Sequence, residues 1–257
     1  MSDAMPNDCL WPDWPAPPGV VAASTTRTGG VSEGPFGTLN LGAHVGDDPA
    51  AVAGNRRRLR EALGLAAEPR WLAQVHGTIV VDAAGAGDEP PAADASFTTQ
   101  SGVACAVLTA DCLPVLFSTI DGTAVAAAHA GWRGLAAGVL ECTIAAMPAP
   151  PDRLLAWLGP GISQPAFEVG PEVRDAFMAA DEGAGTAFES NERGRYQADL
   201  YALARRRLQR AGVAGVYGGG WCTHADAGRF FSYRRDGQCG RMATVIAIRT
   251  CPAPGAS

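Results

Sequence analysis

"VACAVLTADCLPVLFSTIDGTAVAAAHA", residues 103–130, holds three apolar runs in succession, 103–110, 113–119 and 123–130, parted by Asp111-Cys112 and by Asp121-Gly122. Short apolar runs bounded by turn formers predict buried strands, and these three read as neighbours in one sheet. The segment after them, 131–147, is a Gly-rich turn feeding an Ala- and Leu-rich helix. Before them, 70–77 and 78–83 read as two strands joined at His76-Gly77, and 85–96 as a loop. Further out, 19–25 is a first strand, 27–42 a long glycine-rich loop, and 47–65 a helix that starts on Asp and Pro. Val52, Leu59 and Leu63 form the buried stripe of that helix, and its arginines should face water. The second half repeats the alternation: a strand over 153–159, a turn over 160–170, a helix from Pro171, a helix over 199–212, a glycine-rich connection and a last strand over 242–248. The pattern implies an α/β (or α+β) fold in which a mixed sheet is flanked by helices. It is expected to form a single domain over 1–257, with a peripheral arm at 1–18 and a frayed tail at 251–257.

The totals agree with a globular protein of this size. The chain has 257 residues, 47% of them hydrophobic, and a formal net charge of −6. No basic run attracts nucleic acid or acidic lipid, so neither is an expected partner. The most apolar region, 103–139, is interrupted by Asp111, Asp121, His129 and Arg133, so no span of a membrane is expected. The N-terminal stretch lacks the pattern of a secretory signal, which points to the cytoplasm. Seven cysteines without a CxxC pair fit neither a disulfide framework nor a zinc ribbon.

The chemistry should sit where the apolar runs end. Of four histidines, His76 and His129 each end such a run beside a glycine, and Cys112 ends a third. If the strand ends meet in the crevice where α/β proteins bind ligands, two imidazoles and a thiolate converge there. That donor set suits zinc with one open position. The same residues could instead form a metal-free Cys-His pair with Cys112 as nucleophile. Cys105 and Cys142 lie within a strand and a helix, where packing explains them.

The motifs "RTGGVS" (27–32), "LNLGAHVGDD" (39–48), "QVHG" (74–77), "ADAS" (93–96), "TADCLPVLF" (109–117), "AHAGWRG" (128–134), "FEVG" (167–170) and "FFSYRRDGQCGRMA" (230–243), in this order and over nearly the whole chain, resemble the YfiH/YlmD family, also called the polyphenol oxidase or laccase-domain family. The resemblance implies a cytoplasmic single-domain protein with one zinc held by His76, Cys112 and His129, which would also be the catalytic residues. It implies phosphorolysis of adenosine, inosine, guanosine and methylthioadenosine, and deamination of adenosine. Some members are described as peptidoglycan-editing factors, so an amidase or cysteine hydrolase acting on a muropeptide precursor is an alternative. A copper-dependent, laccase-like polyphenol oxidase is another, with Met242 as a weak fourth ligand to Cu2+.

Phosphorolysis needs an anion beside C1′ of the ribose. Arg27 in the glycine loop and Arg133 at a helix start are the candidate phosphate holders. Asn40 and Glu168 are candidates for the sugar hydroxyls, with Glu168 also a proton carrier. Asp94 and Asp111 precede strand bends and should tie their own backbone. His44, close to a helix start, is a candidate to reach substrate, but a loop histidine bonding backbone is the stronger reading. The Cys222-Thr223-His224 segment is a candidate second metal or redox site that fits a structural turn at least as well, and His224 as a fourth ligand would make the zinc structural. Small-molecule substrates, a purine nucleoside and phosphate, are the expected partners.

Overall fold

The computed structural model describes residues 9–85, 87 and 89–250; the tail expected to fray lies outside the described residues. Along the first half run β1 (Val20–Ser24), α1 (Pro49–Leu63), β2 (Val80–Asp82), β3 (Ala95–Thr98), β4 (Ala104–Thr109), β5 (Leu113–Thr119), β6 (Val125–Ala130), α2 (Trp132–Ala137) and α3 (Val139–Ala146). The second half adds β7 (Leu154–Leu158), β8 (Glu168–Val169), α4 (Pro171–Met178), β9 (Phe188–Ser190), β10 (Tyr196–Ala198), α5 (Leu200–Arg210), β11 (Gly215–Gly218), α6 (Tyr233–Asp236) and β12 (Met242–Ile248).

Six strands form a mixed sheet in the order β11-β7-β5-β6-β3-β2, parallel at its two edges and antiparallel between. A second, antiparallel sheet has the order β1-β12-β4, and β8-β10-β9 make a small third one. The α/β reading therefore holds, with one change at its centre. Of the three apolar runs expected side by side, β5 and β6 do pair, but β4 belongs to the other sheet. Asp111 turns the chain there with φ of 92°, a left-handed conformation that Asp tolerates better than most residues. Asp111-Cys112 is a corner between two sheets.

The period of two along each strand then builds four layers. Ala104, Ala106 and Leu108 of β4 face α1, where they meet Leu59 and Leu63, while Cys105 and Val107 face the six-stranded sheet. From that sheet Leu116, Val125, Ala127 and Trp157 fill the space between the two sheets. Their neighbours Val115, Phe117, Ala126 and Ala128 point the other way, against Leu135, Leu140, Leu203 and Leu208 of the outer helices. Burying each of the larger of these side chains contributes about 1.5–3 kcal/mol. His129 has the parity of Val125 and Ala127, so it emerges between the sheets at their open end.

Smaller differences have local causes. The helix expected over 131–147 is two helices, because Gly138 adopts φ of 103° and ends α2. No strand forms over 70–77; single bridges from Arg70 to Cys105 and from Ala73 to Ala92 hold that segment extended. The loop expected over 85–96 already contains the start of β3, and the glycine-rich connection contains β11. The N-terminal arm is not loose where it is described, since Leu10 exchanges two backbone hydrogen bonds with Ser24. In α1, Asp48 caps the N-terminus through Ala50 N–H and Gly64 closes the C-terminus. Arg57 and Arg58 face water as expected, but Arg56 turns inward. Among the described residues no helix is long and apolar enough to cross a membrane.

Candidate active site

Three separate pieces of backbone deliver His76, Cys112 and His129 to one point. Cys112 comes from the corner between the sheets, His129 from the end of β6, and His76 from the turn after the extended segment 70–75, where its φ is 61°. Their ligand atoms all lie within 4.8 Å of one another, with Cys112 Sγ 4.0 Å from His76 Nε2. The two imidazoles meet edge to face, ring centres 4.9 Å apart. Among the described residues this is the one group of three or more such ligands.

Asp94 organises the group. Its buried carboxylate accepts the backbone N–H of Val75 (3.2 Å), His76 (2.9 Å) and Gly77 (2.6 Å), which fixes the turn that presents His76. The same carboxylate lies 2.8 Å from His129 Nδ1. An ionised carboxylate only accepts, so Nδ1 carries the proton and Nε2 is left as the metal-binding atom. Asp94 was expected to tie its own backbone; it ties another segment's instead. Asp111 does likewise at long range, accepting Thr223 Oγ1 at 2.6 Å and Arg234 N–H at 2.7 Å.

Burial alone would push the Cys112 thiol up, yet the facing His129 and His76 outweigh it and hold the thiol down at about 6. Burial works against protonated His129 too, but Cys112 and Asp94 raise it to about 9. Without metal the pair is therefore a thiolate facing an imidazolium.

Two glycines of "HAGWRG" are small because of this geometry. A Cβ on Gly131 would stand 3.0 Å from both Cys112 Sγ and His76 Cδ2, and one on Gly134 would stand 2.8 Å from Gly77 O. Glycine at both positions lets α2 start directly under the His76 turn.

The donors fit a metal. Zn–S of about 2.3 Å and Zn–N of about 2.0–2.1 Å place tetrahedral neighbours about 3.3–3.6 Å apart, a small contraction that the exposed His76 turn can supply. His224 is not part of the group, and Cys222 accepts Ala225 N–H in a tight turn. Met242 is buried elsewhere, with its sulfur accepting Phe231 N–H at 3.1 Å.

The three side chains stand in a cleft of about 770 Å³ whose walls include Trp71, Leu108, Tyr233, His44, Arg56 and Arg241. Among the described residues no carboxylate lines it. The four other residues expected to bind substrate are not in its wall. Arg27 is spent on the carbonyls of Gly37 and Ala227 and stacks on Phe231. Arg133 is exposed and lies over Trp132. Glu168 pairs with Arg193 and Arg195 and accepts Asn191 Nδ2 at 2.8 Å. Asn40 is fully buried, its amide shared between Gly42, Asp47 and the backbone of Arg241. In their place the structure offers Arg56, Trp71, Gln74, Tyr233 and Arg241. Gln74 locks the wall by bonding both backbone groups of Leu108. Nothing in the spacing of these residues announced them; they sit inside or beside the motifs 39–48, 74–77 and 230–243.

The fold recurs in known proteins. A family model described as multi-copper polyphenol oxidoreductase laccase matches residues 21–249. A purine nucleoside phosphorylase of Pseudomonas aeruginosa is 57% identical over 247 residues, spanning 95% of this chain and 99% of that one. Purine nucleoside phosphorylase YfiH of Escherichia coli is 54% identical over 235 residues, 91% of this chain and 96% of its own. Among solved structures, a Neisseria meningitidis protein superposes with a TM-score of 0.92 at 56% identity, covering 95% of this chain and 100% of that one. YlmD of Geobacillus stearothermophilus gives a TM-score of 0.83 at 34% identity, covering 91% and 93%. By fold and by sequence along nearly its full length, the chain belongs to the YfiH family.

Proposed function

We propose that this protein is a purine nucleoside phosphorylase of the cytoplasm that works with one zinc ion on His76, Cys112 and His129. The observation that carries the reading is the meeting of these three side chains in a cleft with no carboxylate among the described residues of its wall, in a chain whose relatives bear that name. Among the described residues Cys105, Cys112, Cys142, Cys222 and Cys239 are free thiols, which suits a reducing compartment. When bound, the ion supplies Lewis acidity at a position the protein leaves open. Asp94 keeps His129 in the tautomer that can ligate and holds His76 in place. The apolar and aromatic wall of Leu108, Trp71 and Tyr233 suits a purine and excludes water from it. In phosphorolysis a phosphate oxygen bonds to C1′ as the C1′–N9 bond breaks, its electron pair leaves with the purine, and the purine takes up a proton.

Zinc is favoured over copper by the same geometry. A multicopper oxidase needs several ligand clusters, and Met242 is engaged away from the site. Deamination of adenosine is a second activity of the same site, favoured by a donor set of only three residues. The test is product analysis with adenosine, with and without phosphate, on wild type and Cys112→Ser, alongside metal analysis after native purification. Adenine formed only with phosphate is the expected result, and inosine would report deamination. A metal-replete wild type that turns over no purine nucleoside overturns the reading. Activity that survives chelation and is lost on alkylation would favour a cysteine hydrolase instead.

A further inference from the structure

We propose that His44, Arg56 and Arg241, one wall of the cleft, form a site for a phosphate dianion. The role given to that phosphate rests on the phosphorylase reading; the site itself rests on the geometry that follows.

The chain is acidic overall, with a net charge of −6, yet among the described residues the cleft is lined by arginine and histidine and by no Asp or Glu. Such a local reversal of charge favours an anionic ligand. The three side chains come from distant points of the sequence and are fastened to one segment, 39–44. Arg56 donates Nε and Nη2 to Leu41 O at 3.1 and 3.0 Å and stacks on Trp71 at 4.3 Å. Arg241 is held by its own backbone: its N–H donates to Asn40 Oδ1 at 2.8 Å, and its C=O accepts Leu41 N–H at 3.1 Å. His44 ends the segment. Gly42 lies between them, and a Cβ there would stand 2.8 Å from Arg241 Cγ, so glycine lets the arginine run past into the cleft.

These groups have donors to spare. Of the five N–H groups of Arg241, those on Nη1 serve the carbonyls of Cys239 and Gly240 and the Cys239 sulfur; Nε and Nη2 have no hydrogen-bond acceptor among the described residues, although the guanidinium lies 5.8 Å from the Tyr233 ring. His44 makes no hydrogen bond among the described residues. Glu68 meets Arg56 Nη1 at 3.4 Å but is half exposed and outside the cleft wall. Burial, and after it the charges of Arg241 and Arg56, hold His44 below the ordinary histidine range, so two guanidinium charges crowd the space beside a neutral imidazole. A dianion relieves that crowding and is matched by guanidinium geometry. The segment 39–44 is thus a frame for an anion site, and Asn40 is the peg that holds it.

The test is calorimetric titration of the metal-loaded protein with inorganic phosphate and, separately, with adenosine 5′-monophosphate, on wild type, His44→Asn, Arg241→Gln and Arg241→Lys. Arg57→Gln, an exposed residue of α1, controls for the loss of charge. We expect phosphate to bind wild type and the control, and to weaken about tenfold or more in His44→Asn and Arg241→Gln, with Arg241→Lys between. In phosphorolysis the KM for phosphate should rise by the same factor while the KM for nucleoside stays within about twofold. Melting curves that match wild type separate lost contacts from lost folding. Tighter binding of the monophosphate than of phosphate, lost in the same variants, would assign the site to a phosphate carried by the substrate. Phosphate binding lost in the variants of a protein that cleaves no nucleoside would uphold the site and defeat the phosphorylase reading. Intact phosphorolysis with an unchanged phosphate KM in both variants, or no binding of either ligand to wild type, overturns the site.

Discussion

Asp94 Oδ1 lies 2.8 Å from His129 Nδ1 and 2.9 Å from the backbone N of His76, so one carboxylate sets two of the three candidate metal ligands. The two histidines are 53 positions apart in the chain (129 − 76). Replacing Asp94 with Asn keeps the shape and removes the charge that fixes the His129 tautomer. Metal affinity should fall about 10–100-fold, read by competition with a chelator. Asp94→Ala, which also strips the acceptor from three N–H groups, should in addition lower the melting temperature. Unchanged metal affinity in both variants would mean that Asp94 only shapes the turn.

Thiol reactivity supplies a pH test. In metal-free protein Cys112 ionises at about 6, below an ordinary thiol, so its alkylation should be half-maximal near that pH and slow as pH falls through it. Cys105, buried and pushed up to about 12, should stay unlabelled in the folded protein. Zinc should protect Cys112 at every pH. Peptide mass spectrometry after brief iodoacetamide treatment reads all three outcomes.

Close approach of α2 to the site predicts a separation of function from stability. Gly131→Ala pushes a methyl against Cys112 Sγ and His76, and Gly134→Ala pushes one against Gly77 O. Both positions are buried at the start of α2. Metal content and nucleoside turnover should drop in each, Gly131→Ala by direct crowding of the ligands and Gly134→Ala by displacing the His76 turn. Retention of full metal content by both would refute the close packing described for "HAGWRG".

The spacing between the two sheets is set by small residues of β6. Ala127 faces Cys105 and Val107 across that layer, and Ala127→Leu should overfill it at a cost of about 1–3 kcal/mol. For a chain of this size that is about 2–4 °C of melting temperature per kcal/mol. Because His129 lies on the same face two residues on, the metal site should loosen as well. A thermal melt and a zinc titration on the same sample check both.

What local sequence determined was the central strands, the first helix and the chemistry at the strand ends. Apolar runs broken by Asp-Gly and Asp-Cys specify β4, β5 and β6, the Asp-Pro start and the stripe of Val52, Leu59 and Leu63 specify α1, and the rarity of histidine draws the eye to His76 and His129. These features depend on residues within a few positions of one another. Tertiary structure alone decided that β4 leaves the sheet of its neighbours, that Asp94 serves two histidines, and that Arg56 and Arg241 line the cleft while Arg27 and Glu168 bond elsewhere and Arg133 lies exposed over Trp132. The physical reason is that a guanidinium or a carboxylate bonds to whatever the fold brings within about 3 Å. That partner can be a backbone carbonyl 200 residues away, as Ala227 is for Arg27, and no local pattern encodes it.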